Sequence, residues 1–244
     1  PQEHLGPVRM RGRAFSLLEE HAQTVERNAV KAKDSLEVLR KLTERQSVFT
    51  KEDVHQFMQK HLPPECHLPF QESFWKQPEL VPLIDKQTGE ITGNFTSQEV
   101  LEEENTIVRL SELIHRRSAL PVNMKKIEAF SQELNPEQKV AFLEILQGKK
   151  LACLQGYAGT GKSHLLSVLK DAYSDVGYQV RAFGPDNATA DVLKDKGFEN
   201  AENVYRFLYG FYHCKRNTNK NKEVWILDEA GKLGNRPLKE FLKA

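Results

Sequence analysis

Gly156-Tyr157-Ala158-Gly159-Thr160-Gly161-Lys162-Ser163 is the stretch that decides the fold. Its spacing is G-x-x-x-x-G-K-S, with a short apolar run, Lys150 to Leu154, before it and a helical pattern, Lys162 to Val176, after it. The glycines let the backbone curl where a Cβ would obstruct the turn, and successive N–H groups then point inward as an anion nest. The following helix adds its positive end. Lys162 supplies a mobile cation for the β and γ phosphates of a nucleotide, and the Ser163 hydroxyl is a hard oxygen ligand suited to Mg2+.

Working outward, the rhythm from Asn135 onward alternates helices with short apolar strands. Gln179 to Phe183 and Val224 to Leu227 join Lys150 to Leu154 as predicted strands, which indicates an α/β fold: a parallel sheet with helices on both faces. The last strand delivers Asp228 and Glu229 to the carboxyl end of the sheet, where open α/β sheets bind ligands. Asp228 suits a Mg2+ held through water, and Glu229 suits a general base for an attacking water. An adjacent Asp-Glu pair alone usually marks a solvated turn; behind an apolar strand and some 65 residues beyond Ser163, it gains weight. Asn135-Pro136 reads as a helix N-cap with Pro at the first helical position. Gln138, one turn in, can pair with adenine through its amide donor and acceptor together, although alone it is an ordinary helix residue.

Together, Leu134 with Gln138, the loop Gly156 to Ser163, and Asp228-Glu229-Ala230 resemble the adenine-sensing motif and motifs I and II of RecD-like superfamily 1 DNA helicases. Within that group the chain is most similar to TraA/TraI-type conjugative relaxase-helicases. Pro1 to Pro7 resembles the tail of their relaxase domain, Leu42 to Val54 their linking module, and Glu199 to Tyr209 the segment between motifs Ia and II. The resemblance implies a P-loop NTPase (RecA-like) motor with ATP and Mg2+ as cofactors. It makes Gln138, Gly156, Ala158, Gly159, Thr160, Gly161, Lys162, Ser163 and His164 nucleotide contacts, Ser163 and Asp228 metal ligands, and Lys162, Asp228 and Glu229 catalytic. It implies single-stranded DNA as partner and, around it, relaxosome and type IV secretion components. Motif Ia appears as Gly184-Pro185-Asp186-Asn187-Ala188-Thr189-Ala190, where Asp186 departs from the pattern and Asn187 and Thr189 remain candidate phosphate donors. The motifs that follow motif II, with their arginines, and the His cluster and Tyr nucleophile of a relaxase are not in the sequence, so the expectation is ATP binding with slow hydrolysis.

The N-terminal half reads differently. Residues 1–46 are an expected helical segment, with apolar side chains at Phe15, Leu18, Ala22, Val25, Ala29, Ala32, Leu36 and Leu39 in 3,4 spacing. That helix, about 37 Å long at 1.5 Å per residue, packs on its own neighbours or pairs as a coiled coil. Residues 47–125 are an expected small winged-helix-like α+β module. Thr50 to Asp53 starts a helix with a capping box, Pro63-Pro64 ends it, Val81 to Asp85 and Ile91 to Phe95 form a hairpin, and Thr96-Ser97 opens a helix to about Arg117. Residues 126–244 are the expected motor segment. Because the chain opens on Pro1 and its motif pattern stops soon after Asp228, the expectation is a fragment of a larger polypeptide.

Composition narrows the classes. The 244 residues carry 35 Lys plus Arg against 34 Asp plus Glu, a net charge of +1, so any nucleic-acid binding must come from local patches. Charged residues at 28% and hydrophobic residues at 39% exclude a wholly disordered chain. No apolar run approaches the roughly 18 residues of a membrane span. Three scattered cysteines, Cys66, Cys153 and Cys214, suit a reducing, cytoplasmic setting, and neither Cys66-His67 nor His213-Cys214 has a second pair at zinc-finger spacing. Lys215-Arg216-Asn217-Thr218-Asn219-Lys220-Asn221-Lys222 carries four cations and nothing to bury: a solvated loop, or a contact for the DNA backbone. Two rival functions are a non-catalytic DNA-binding scaffold, against which the intact loop weighs, and a small-metabolite phosphotransferase, against which Gln138 and the adjacent acids weigh.

Overall fold

The structure, a computed structural model, describes residues 35–157, 159–213 and 222–244. The expected helical seam therefore lies outside the described residues over 15–34, as do Ala158 and all of the polar run 215–222 except Lys222. The chain divides into two units, residues 1–102 and 103–244. No helix among the described residues is long and apolar enough to cross a membrane.

In the first unit the described elements are α1 (Ser35–Arg45), β1 (Phe49–Thr50), α2 (Lys51–His61), a 3-10 turn (Pro64–Cys66), α3 (His67–Phe74), β2 (Leu80–Ile84) and β3 (Ile91–Ser97). The capping box forms as the sequence predicts: Thr50 Oγ1 accepts the Asp53 N–H at 3.2 Å, and Asp53 Oδ2 accepts the Thr50 N–H at 2.7 Å. Those bonds hold the Asp53 carboxyl below its usual range. The hairpin also forms, antiparallel, and β1 adds to its other edge in the order β1-β3-β2. One element is new. Residues 67–74, which carry no clean period around Pro69, form α3 because Phe70 and Phe74 are buried against α1, α2 and the Phe49 and Phe95 rings.

The second unit holds α5 (Met124–Phe130), α6 (Pro136–Gln147), α7 (Lys162–Asp175), β4 (Gln179–Gly184), α8 (Asn187–Asp195), β5 (Glu202–Asn203), α9 (Val204–His213), β6 (Glu223–Leu227), a 3-10 turn (Ala230–Lys232) and α10 (Asn235–Lys243); α4 (Gln98–His115) runs through the unit boundary. Its three strands are parallel in the order β5-β4-β6, with Gln179 opposite Glu223 and Phe183 opposite Leu227. The pleat sends alternate residues to opposite faces. Val180, Ala182, Val224 and Ile226 pack under α7 and α8, while Phe183, Trp225 and Leu227 pack under α9 and α10, so helices cover both faces.

Lys150 to Leu154 corrects the sequence reading: it is not a strand of this sheet. A strand exists only where its backbone pairs, and here the Lys150 N–H goes to the Arg117 carbonyl at 2.8 Å beside a lone bridge between Ser118 and Lys149. β6 pairs with β4, and residues 151–157 carry no ladder. Leu154 still packs into the cluster beneath α7, which anchors the segment by its side chain instead.

Arg181 on β4 is buried between Glu202 at 2.7 Å and Glu223 at 3.5 Å, with its guanidinium over the Phe183, Phe207 and Trp225 rings. It ties the three parallel strands together. Replacing it by Met keeps apolar volume and strips two mostly buried carboxylates of their cation, so Arg181→Met is expected to destabilise this unit by about 3 kcal/mol or more in urea unfolding. An unfolding midpoint equal to wild type would show that the triad contributes nothing.

Candidate functional site

The phosphate loop turns on two left-handed glycines, Gly159 with φ 82° and Gly161 with φ 78°, and Gly161 is the N-cap of α7. Thr160 Oγ1 donates back to the Tyr157 carbonyl at 2.9 Å. Lys162 Nζ donates to the carbonyls of Gly156 at 2.6 Å and Tyr157 at 2.9 Å, so the ammonium lies within the curl of its own loop. His164 is exposed on the first turn of α7.

Gln138 meets this loop from α6. Its Oε1 accepts the Asn135 N–H at 3.1 Å while Asn135 Oδ1 accepts the Gln138 N–H at 2.9 Å, a capping box that starts the helix. Its Nε2 donates to the carbonyls of Thr160 at 3.2 Å and Gly161 at 3.4 Å. Both ends of the amide are thus engaged, one on the helix start and one on the loop. Sequence spacing links Gln138 to the site but does not reveal that it grips the loop backbone itself.

The carboxylates stand at the carboxyl end of the sheet. The Asp228 N–H donates to the Phe183 carbonyl at 2.9 Å, which extends the β4–β6 ladder by one bond, and Asp228 Oδ1 accepts the Glu229 N–H at 2.9 Å. Glu229 has φ 51°, the one left-handed non-glycine backbone among the described residues. Such a conformation costs about 1–3 kcal/mol and concentrates at functional turns. Glu229 pairs with Lys232 at 2.5 Å, and that carboxylate, then Asp186 and Asp228, raise the Lys232 ammonium above its ordinary value. The sequence reading did not single out Lys232.

Asp186, the departure in motif Ia, has a structural role. It is the N-cap of α8, with Oδ1 accepting the Thr189 N–H at 2.7 Å, and these Thr189 bonds hold its carboxyl below the usual range. Asn187 bonds the side chain of Asn203, which in turn accepts the Arg206 N–H at 2.7 Å at the start of α9. The starts of α8 and α9 are therefore joined beside the ends of β4 and β5.

Would these residues suit ATP and Mg2+? The loop is a cradle that side chains would fill: a Cβ on Gly156 would come within 2.9 Å of Thr160 Oγ1, and one on Gly161 would strike Gln138 Nε2. Two ammonium groups border it, Lys162 within the loop and Lys196, whose Nζ lies 2.7 Å from Ser163 Oγ. A hydroxyl and a carboxylate are the hard oxygen donors that Mg2+ takes alongside phosphate oxygens and water. The cradle and its ammonium groups thus fit a triphosphate, and the Ser163 hydroxyl and Asp228 carboxylate are each of the donor type that fits Mg2+.

Residues 133–244 match the family model described as an AAA domain, a span that takes in Gln138, the loop and both carboxylates. The chain is 23% identical over 219 residues to a Sinorhizobium fredii protein named probable conjugal transfer protein TraA, covering 84% of this chain and 19% of that one. It is 25% identical over 167 residues to conjugal transfer protein TraA of Rhizobium radiobacter, covering 65% of this chain and 15% of that protein. Agrobacterium fabrum conjugal transfer protein TraA is 25% identical over 169 residues, with 66% and 15% covered. The chain thus spans less than a fifth of the length of these curated relatives.

Gly161→Ala is the sharpest probe of the loop, because it combines a strained φ with a collision on Gln138. The expected result is at least about a 10-fold loss of affinity for a fluorescent ATP analogue with α6 and α7 still folded by circular dichroism. Wild-type affinity in this variant would mean that the loop geometry is not what binds the nucleotide.

Proposed function

We propose that residues 133–244 bind ATP with Mg2+ and form the first part of a RecA-like motor that couples ATP hydrolysis to movement along single-stranded DNA, in a protein of conjugative transfer. One observation carries the reading: a glycine-turned loop with its lysine in the curl, gripped by Gln138, in the same unit as a parallel sheet that ends in Asp228 and Glu229. The AAA-domain match over the same residues supports the nucleotide, and similarity to the TraA proteins supports the conjugative setting.

In this reading Lys162 exchanges two neutral carbonyl acceptors for charged phosphate oxygens, which form the stronger bond. Ser163 and Asp228 would hold Mg2+, which when bound would neutralise charge on the nucleotide phosphates. Glu229 accepts the proton of the attacking water, and its ion pair with Lys232 orients the carboxylate. Asn187 and Thr189, at the start of α8, take DNA backbone phosphates; the run 215–222 is either a solvated loop or a further source of cations for that backbone. The order strand, helix, helix, hairpin over 49–97, with one three-stranded antiparallel sheet, supports the winged-helix-like reading of residues 47–125. Relaxosome and secretion components as partners rest on the similarity alone.

Two variants test the assignment. Lys162→Ala is expected to lose at least about 10-fold in ATP affinity while melting like wild type, since glycines and Gln138 shape the loop. Glu229→Gln, in the full-length protein, is expected to bind ATP normally and to lose about 10²-fold or more in turnover. Unchanged affinity in the first variant contradicts the phosphate-binding role of Lys162, and a parallel loss of binding and turnover in the second contradicts Glu229 as the base.

A further inference from the structure

Lys196 belongs to no motif, yet it reaches the phosphate loop. It follows α8 as the C-cap, with its N–H donating to the carbonyls of Val192 and Leu193 at 3.2 Å. Gly197, with φ 86°, then turns the chain, and its carbonyl accepts Lys170 Nζ from α7 at 3.1 Å. The backbone beside Lys196 is therefore fixed to both helices. From there its ammonium extends to Ser163 Oγ at 2.7 Å, a charge-assisted contact between a long, exposed side chain and the hydroxyl assigned to the metal.

A hydroxyl oxygen has two lone pairs, and a cation already lies on one of them. Lys162 is not that cation, because its Nζ is engaged by Gly156 and Tyr157. We infer that Lys196 is a second cation of the nucleotide site that stands in for the divalent metal at Ser163. This rests on the proposed nucleotide site and adds to it a residue and a metal dependence. With a triphosphate and no divalent ion, the Lys196 ammonium neutralises the phosphate oxygens nearest Ser163. When Mg2+ takes the hydroxyl, like charges on one oxygen repel, and the unbranched lysine stem swings its ammonium into water. The consequence is a site whose affinity for ATP falls less on metal removal than Lys162 alone would allow.

The test is equilibrium titration of the whole chain with a fluorescent ATP analogue, in excess Mg2+ and in excess EDTA. Lys196→Met keeps the stem and removes the charge. The expected result is about a 10-fold weaker affinity in EDTA, the scale of one lost charge-assisted contact, and affinity within about 2-fold of wild type in Mg2+. Lys196→Arg, which retains the cation, should recover most of the metal-free affinity. No change in EDTA overturns the inference, and so does an equal loss under both conditions, which would make Lys196 an ordinary phosphate ligand. In either case a wild-type chain that binds the analogue leaves the nucleotide site standing. A wild-type chain that binds it under neither condition overturns both. Thermal melts of the two variants should match wild type, because the Lys196 side chain is exposed.

Discussion

The parallel pairing of β4 with β6 is the constraint on which the chemistry of residues 103–244 depends. Five consecutive residue pairs, from Gln179 with Glu223 to Phe183 with Leu227, fix the register, and the Asp228 N–H adds one more bond to it. A slip of one residue would exchange the two faces of β6, sending Trp225 and Leu227 toward α7 and α8 and Val224 and Ile226 toward α9 and α10. It would also remove Asp228 from the sheet edge. Arg181 reinforces this register from within, since its two glutamate partners come one from β5 and one from β6. Because all three strands run the same way, their carboxyl ends meet at one edge, and the groups that can handle charge gather there: Asp186, Asn187, Asn203, Asp228, Glu229 and Lys232.

The phosphate loop is built on a different principle. It is not launched from a sheet strand; Gln138 and the glycine dihedrals hold it. One amide serves both the start of α6 and the carbonyls of Thr160 and Gly161, so the orientation of that helix and the curl of the loop are set together. The close approach of Gln138 to Gly161 also explains why glycine is needed there for two reasons at once, its positive φ and the absence of a Cβ.

What the sequence made legible was local. The capping box at Thr50, the N-cap at Asn135, the hairpin around Gly89 and the helix after Gly161 depend on residues close in sequence, and each forms; the strand to Asp228 also forms, through its pairing with β4. Features that depend on distant partners were hidden. The apolar run Lys150 to Leu154 has strand composition but no ladder, and α3 takes its helix from the burial of Phe70 and Phe74 rather than from a period. Asp186 departs from the motif Ia pattern in the sequence, and the Thr189 bond gives it a role as the cap of α8. The contacts of Lys196 with Ser163 and of Gln138 with the loop cross 33 and 22 residues; the sequence places Gln138 at the site, but its hold on the loop carbonyls, like the reach of Lys196, depends on the tertiary fold.

The loop and Gln138 together form the proposed nucleotide site. Photo-crosslinking the chain with an azido-adenine ATP analogue, followed by peptide mapping, tests it most directly. Label is expected on peptides that contain Gln138 or residues 156–163, and it should be lost when unmodified ATP is added in excess. Label that excess ATP does not displace, or that falls only on peptides from residues 35–102, would contradict the claim.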